Sequence, residues 1–549
     1  MRSNNCKKIL LGACVALTSG VFAQPTFEWA KNISATNVDY MMGCSAVDDF
    51  GSAVVFGGFT GPIAFGSITF TNSGSLDGYI CKYAADGSVA WAKKLGTVGT
   101  DYIRQVKSDQ EGNIYALCDF DGPITIGTTL LNLTSRDVVL IKYNPAGDVI
   151  WVKKFGNTGV DAGRGMDVST QGNIVISGIF NSPTIDFGGT VLTNSNSVET
   201  SYNNMFIVSL DANGDTQWAR RGSGENTVSV KQNVIIDSSG NAYVFGNYGC
   251  YDLTFESTTL TNSSNPQGAF FYPDMFLVKY SASGIFQWAK SYGGEVRETA
   301  DSIAFDASGN VMISGYFDSP TITFASLTVN RQVNGSIFLA KVNSDGAMAW
   351  AQNAGYYGVT AKGSVSDAQG NIYLSGIYQG SVHFGNIIVN SPNTSPAVVY
   401  ITKYDTDGVA KWVKATTPAT DVNTDVGIAI NGLGDLYVCA RYSNPTVTFD
   451  GTILTNTGTG NAFLAKINHE SLATPAFNQE IVSLYPNPVK NTLYLQNLPE
   501  TEMPIVIYDM AGREAMRTAS VSNTVEVSNL SRGIYLLKSG NITIKFIKE

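Results

Sequence analysis

Histidine is almost missing from this chain. His383 and His469 are the only two in 549 residues, and they share no local motif. A Ser-His-Asp triad or a histidine metal cluster has little to build on. There is no Gly-x-Ser-x-Gly elbow, no His-Glu-x-x-His helix and no Walker loop, which removes the common signatures of hydrolases, metalloproteases and nucleotide enzymes. Charge is also scarce, at 15% of residues. No long segment carries apolar residues at helical spacing, so a helical fold is excluded. Past the N-terminal stretch, no run is apolar enough to cross a membrane, so the protein is not integral to one.

Cysteine usage is thin and irregular. Beyond the first 23 residues lie Cys44, Cys81, Cys118, Cys250 and Cys439, an odd number with no Cys-x-x-Cys spacing. This excludes a zinc ribbon or a thioredoxin-like redox motif. They read as small buried hydrophobes, and Cys81, Cys118 and Cys439 sit inside apolar strand-like runs. An exported protein could hold one disulfide, but spacing does not pair it.

The N-terminus reads as a secretion leader. Arg2, Lys7 and Lys8 make a basic start, Ile9 to Val21 is mostly apolar, and Val21-Phe22-Ala23 places small residues for cleavage between Ala23 and Gln24. A rival lipid-box reading at Leu11-Gly12-Ala13-Cys14 leaves a short apolar run before the cysteine. The leader carries no acid, so without it 32 basic residues face 45 acidic ones, a formal charge of −13. Such a surface repels phosphate backbones, and nucleic acid is not an expected partner.

Against these absences stands one regularity. All seven tryptophans, Trp29, Trp91, Trp151, Trp218, Trp288, Trp350 and Trp412, fall at steps of 62, 60, 67, 70, 62 and 62 residues. Even spacing of a rare bulky residue marks a tandem array. Within each unit, Ser366-Asp367-Ala368-Gln369-Gly370-Asn371-Ile372-Tyr373 has counterparts starting at Asp109, Asp237 and Asp306, and looser ones near Asp48, Ser169 and Asn431. An acidic or polar side chain opens a turn, glycine takes a positive φ, and a strand follows. A second hairpin, as in Phe276-Leu277-Val278-Lys279-Tyr280 before Trp288, brings each unit to about four strands, the content of a propeller blade. Between them lies an extended piece such as Thr446-Val447-Thr448-Phe449 with Thr452-Ile453-Leu454-Thr455-Asn456, read as an added strand or a structured loop.

The array begins with a Trp strand, Phe27 to Ile33, that lacks its usual predecessor. It ends on Phe463-Leu464-Ala465-Lys466-Ile467, which lacks the Trp strand that normally follows. Pairing the two ends closes a ring of seven blades and removes exposed edges. An open solenoid would leave both ends uncapped. The repeat Asp-x-x-Gly-Asn-x-Tyr-x-x-Gly, followed by Asp-x-Phe-x-x-Lys-Tyr-x-x-x-Gly-x-x-x-Trp, resembles the SBBP-type repeats of exported bacterial β-propellers. It departs from them by the extra Phe-x-x-x-x-Leu-Thr-Asn piece. The resemblance implies a propeller and no particular activity.

Four segments result: a leader at 1–23, a seven-bladed propeller at 24–468, a linker at 469–480 and a small β-sandwich at 481–549. Strand-like runs Ile505-Val506-Ile507-Tyr508 and Ile542-Thr543-Ile544-Lys545-Phe546 support the sandwich directly. The order Leu484-Tyr485-Pro486-Asn487-Pro488, then Val506 to Arg513, then Leu530-Ser531-Arg532-Gly533-Ile534-Tyr535, then Ile544 to Glu549 resembles the C-terminal sorting domain of the type IX secretion system of Bacteroidetes. That resemblance implies engagement of the secretion machinery by residues 481–549. It also implies a location outside a Gram-negative cell or on its outer surface.

Asp48, Asp109, Asp237, Asp306 and Asp367 recur at turn positions and read as turn caps rather than catalysts. No cofactor is expected. Calcium is the one ion whose chemistry is hinted at, by Asp405-Thr406-Asp407-Gly408 and by Asp211-Ala212-Asn213-Gly214-Asp215, and neither has the later glutamate of an EF-hand. The recurring Lys82, Lys142, Lys279, Lys341, Lys403 and Lys466 read as stems over apolar surface with their heads in water or on a carbonyl. Departures from the repeat are better site candidates. The gap from Asn72 to Tyr79 is 7 residues, but it is 12 from Asn194 to Phe206 and 14 from Asn262 to Phe276. These insertions carry Tyr202, Phe270, Phe271 and Tyr272, aromatics suited to a glycan or protein ligand. The reading is an exported binding module without enzymatic activity. The alternatives are a glycosidase or lyase on a propeller scaffold and a structural component of the cell surface.

Overall fold

The computed structural model describes residues 25–46, 48, 51–195, 203–224, 231–264, 272–332, 335–391, 396–418, 425–468, 483–496, 505–510, 512–518, 524–539 and 542–549. The leader with its cleavage pair Ala23 and Gln24, the linker with His469, and the loop residues Tyr202, Phe270 and Phe271 lie outside them. The described residues are all-β, with no helix among them. The chain divides into two compact units, one spanning Gln24–Ser471 and one containing Leu472–Glu549.

In the larger unit the main strands run as successive four-stranded antiparallel meanders. Tyr102–Ser108, Ile114–Asp121, Arg136–Tyr143 and Val149–Phe155 form one sheet, and Asp161–Val168, Ile174–Phe180, Asn204–Leu210 and Thr216–Ser223 form the next. Further sheets start at Gln232–Ile236, Glu298–Phe305 and Val359–Ser366. The first strand, Phe27–Ala46, serves two sheets. Its early part pairs with Asn461–Ile467 (Ala30 opposite Ala465), and its later part pairs with Ala53–Phe65 (Cys44 opposite Val55). Each sheet's innermost strand lies beside the next, and Val426–Ile430 lies beside Phe27–Ala46, so the series returns on itself in a propeller-like arrangement. The extra pieces form small two-stranded hairpins, such as Thr446–Phe449 with Thr452–Thr455. Some of them add to the outer edge of a main sheet.

The core lies between neighbouring sheets. Phe56 and Ile80 of one sheet pack with Ile103, Cys118 and Val139 of the next. Tyr115 and Leu117 likewise pack with Ile176 and Phe206. Trp is the latch across this seam. The indole N–H of Trp29, Trp91, Trp151 and Trp218 donates to the carbonyl of Ala85, Pro145, Ala212 and Ala282 respectively, at 3.0, 3.2, 3.3 and 2.9 Å. Each acceptor lies in the turn of the following unit. That turn must hold glycine: a Cβ on Gly284, whose φ is 74°, would fall 2.5 Å from Trp218. The sixty-odd-residue ruler is therefore the repeat of one inter-sheet contact.

The recurring lysines reach the same turns. Lys82 and Lys142 donate to Pro145 and Ala212 carbonyls that the indoles also use. Lys142 and Lys279 lie 4.9 Å over Tyr115 and Tyr243. The acids of the other turn behave as caps. Asp109 Oδ1 accepts from the N–H groups of Glu111 and Asn113, at 3.0 and 2.9 Å, and its Oδ2 accepts from Asn113 Nδ2 and the Tyr115 hydroxyl. Asp405 and Asp211, in the loops that hint at calcium, spend an oxygen on the same kind of turn. Asp109→Ala is expected to lower stability by about 2 kcal/mol, because a buried tyrosine hydroxyl and amide lose a charged acceptor. Urea unfolding checks this, with exposed Asp407→Ala as the near-neutral control.

In the smaller unit, a three-stranded sheet and a four-stranded one enclose Val489, Leu493, Ile505, Ile507, Leu537 and Phe546. Arg513 closes the turn after Ile505–Asp509 by a 2.9 Å ion pair to Asp509.

Candidate functional site

A cavity of about 400 Å³ lies where the innermost strands meet, and every one of those strands lines it. Its charged lining is Arg104, Lys107, Arg164, Lys231, Asp301, Lys362 and Asp425. Four of these are placed by the same local irregularity. Ile103 stands opposite Cys118 but Gln105 opposite Leu117, so Arg104 is an extra residue in its strand. Arg164, Asp301 and Lys362 are the extra residues at the equivalent points of theirs. A bulge breaks the alternation and re-aims one side chain, here toward the cavity.

The ring is cross-linked between sheets. Fully buried Asp119 accepts from Arg104 Nε at 2.5 Å and from the Gly163 N–H at 2.9 Å, with Arg164 Nη1 at 4.0 Å. Lys107 pairs with Asp167 and Lys231 with Asp301, both at 3.0 Å, and Lys362 with Asp425 at 3.8 Å. Ser302 and Ser364 hydroxyls bridge strands Glu298–Phe305 and Val359–Ser366 at 2.8 Å. Arg104, Arg164 and Lys231 make one side of the mouth cationic, while Asp301 and Asp425 stand on the other side with Lys362 between them. In a chain of net charge −10, this is a local concentration of cations held in place by carboxylates.

Three residues before three of these positions sits a buried acid: Asp101, Asp161 and Glu298. These acids fasten the loops between sheets. Asp161 accepts from the N–H groups of Asn157, Asn181 and Ser182, and Glu298 from the Gly294 N–H and the Ser319 hydroxyl. Burial pushes the Glu298 carboxyl up to about 8, and nearby Asp274 adds to the shift. Burial also lifts Asp137 and Asp274 to about 6.

Of the insertion aromatics, only Tyr272 is among the described residues. It is half exposed, and its carbonyl accepts from Asn262 Nδ2 at 3.0 Å. The backbone N–H of the same asparagine donates to the carbonyl of Tyr251, another exposed tyrosine. His383 stacks on Tyr356 at 4.9 Å, away from any second histidine among the described residues. No group of three or more His, Cys, Asp or Glu among the described residues is placed to hold a metal ion.

The charged ring is a feature that sequence reasoning missed. Its signal was present: a charged residue three positions after an acid repeats as Asp101–Arg104, Asp161–Arg164 and Glu298–Asp301.

The C-terminal unit has a family match. Residues 483–549 match the family described as the secretion system C-terminal sorting domain. This segment is a secretion sorting tail. It supports export by the type IX route and implies a destination at the cell surface or beyond. Among the described residues, no helix is long and apolar enough to cross a membrane.

The chain is similar to an uncharacterized WD repeat-containing protein of Acanthamoeba polyphaga mimivirus, 25% identical over 439 residues, 66% of this chain and 31% of that one. It is also similar to the regulatory protein FlaEY of Caulobacter vibrioides, 22% identical over 294 residues, 48% of this chain and 29% of that one. The chain spans less than a third of the length of either relative. Among solved structures, PorZ, described as a surface component of the type-IX secretion system of Porphyromonas gingivalis, matches with TM-score 0.32 and 12% identity. That match covers 93% of this chain and 75% of PorZ. An apocarotenoid oxygenase of Synechocystis matches with TM-score 0.38 and 12% identity over 81% of this chain and 94% of that one. Nothing about this chain's chemistry follows from either.

Proposed function

We propose that the successive four-stranded sheets are the seven blades of a closed SBBP-type propeller, and that this propeller is an exported binding module without turnover. The blade count is supported by the shared first strand and by the return of the innermost strands on themselves. The binding reading is carried by one observation. The carboxylates of the charged ring, Asp119, Asp301 and Asp425, each lie within 4.0 Å of a lysine or arginine. A carboxylate neutralised in this way is a poor general acid or base, whereas such pairs can hand their donors and acceptors to an incoming charged group. The ligand is an extracellular glycan or protein that presents such a group at the channel mouth. The insertion loops with Tyr202, Phe270, Phe271 and Tyr272 form a second contact.

Binding to a glycan and surface-protein panel tests this with four variants. Arg164→Ala and Lys231→Ala are expected to weaken binding at least tenfold, and Tyr202→Ala and Phe271→Ala to weaken it less. Unchanged binding in all four overturns the site. Cleavage of any panel glycan overturns the non-catalytic reading and favours the glycosidase or lyase. Stable assemblies on fractionation, with no panel ligand bound, favour a structural surface component.

A further inference from the structure

The seam where the ring closes contains two thiols from opposite ends of the sequence. Cys44 lies on Phe27–Ala46 and Cys439 on Leu436–Tyr442, and both belong to one apolar cluster. The residue between them is Gly427, which pairs with Cys439 across the ladder. The position a Cβ on Gly427 would take is 2.7 Å from Cys439 Sγ and 2.7 Å from the Cys44 backbone nitrogen. The missing side chain thus lets both cysteines pack directly against Gly427. Cys44 Sγ points toward the same strand, 3.5 Å from the Tyr437 carbonyl.

No other cysteine competes for Cys44. Cys81 is separated from Cys44 by a whole strand, because Cys44 faces Val55 and Val55 faces Cys81. Two inter-strand steps are about 10 Å, beyond the roughly 7 Å Cα separation that a disulfide spans. Cys118 and Cys250 lie in other inter-sheet clusters.

We propose that Cys44 and Cys439 form a disulfide that staples the first strand to the last sheet after export. The proposal rests on export to an oxidising compartment and is independent of the ligand reading. The oxidant is an external disulfide, such as that of a thiol–disulfide oxidoreductase or oxidised glutathione. Cys44 is half-buried and lines the channel cavity, so its thiolate is the one an oxidant reaches first. It attacks one sulfur of the external disulfide and displaces the other as a thiolate, which takes up a proton. Cys439 then gives up its proton, attacks the Cys44 sulfur of the mixed disulfide and releases the second external thiol. Two protein thiols are oxidised and one external disulfide is reduced to two thiols. Burial, then the neighbouring Cys44 sulfur, hold the Cys439 thiol well above its usual range, so this second step is the slow one. Once formed, the bond is shielded by the same burial.

The test treats the folded, reduced full chain with oxidised glutathione, then alkylates it in denaturant and maps the peptides. A parallel sample is oxidised while refolding from urea. The expected result is one cross-linked peptide pair joining Cys44 to Cys439, a mass loss of about 2 Da for the two hydrogens removed, and alkylated Cys81, Cys118 and Cys250. The thermal midpoint should rise on oxidation and fall back with dithiothreitol. Cys44→Ser and Cys439→Ser should each abolish that rise while keeping the reduced midpoint close to that of the parent. Alkylation of all five thiols beyond the leader in both samples overturns the proposal. So does a different cross-link, or a glutathione adduct that stays on Cys44 without closing.

Discussion

Trp218→Ala is expected to destabilise the fold by about 3–5 kcal/mol, the range for removing a large buried aromatic, read as a lowered denaturant midpoint. Trp218 is 5% exposed. Its ring packs 5.7 Å from Tyr280 and lies against the Gly284 turn, its N–H is bonded to Ala282, and Arg220 reaches over it to the Gly284 carbonyl. One truncation therefore opens a cavity in the seam, strands a carbonyl and loosens an arginine. Trp151 makes the same hydrogen bond but is only half-buried. Its alanine variant should cost about half as much, because cavity and transfer terms both scale with what was buried. Equal losses for the two would show that the hydrogen bond, not burial, carries the latch.

The second large effect depends on pH. Glu298 is fully buried and its carboxyl is pushed from 4.5 up to about 8, first by burial and then by Asp274. The folded protein keeps this proton at pH values where the unfolded chain has released it. Stability from this group is thus complete below about pH 4.5 and is lost as pH rises through about 8. At 1.36 kcal/mol per unit the full loss is on the order of 5 kcal/mol. Glu298→Gln supplies the uncharged form permanently. It should match the parent at pH 5 and exceed it in thermal midpoint at pH 9. Asp137 and Asp274, each raised to about 6, have the same sign and leave a smaller slope below neutrality in the variant. A variant with the parent's full slope would remove Glu298 as its source.

Much of the architecture was legible because the repeat writes it many times. A turn such as Asp109-x-x-Gly112-Asn113-x-Tyr115 encodes its own geometry: the Asp109 carboxylate accepts from the Asn113 backbone and side-chain amides and from the Tyr115 hydroxyl within the motif. The complementary ends were legible because a strand without a neighbour is costly, and Trp29 does lie opposite Lys466. Other features were hidden for physical reasons. Only Trp218 and Trp412 are buried among the seven tryptophans. A latch lying across a turn keeps one edge in water, and spacing alone does not distinguish it from a core residue. The hairpins of the extra pieces were hidden because three- or four-residue strands carry too few alternations to read. The charged ring was hidden because Arg104 or Lys362 in a strand looks like an ordinary outward residue. Only the bulge, invisible in a hydropathy pattern, turns it inward.

The double role of Phe27–Ala46 also sets the order of folding. The strand pairs that complete the last sheet run from Ile33 with Ala462 to Phe27 with Ile467, 429 to 440 positions apart in the chain. Closing a chain segment of that length costs about 5 kcal/mol of loop entropy. None of it is recovered until the final strand has been made and delivered. A chain crossing a membrane by either end therefore carries an unfinished sheet for the whole passage. The first seven residues of that strand, Phe27 to Ile33, find their partner only when Ala462 to Ile467 is in place, so the propeller-like arrangement closes only once the entire array is on one side.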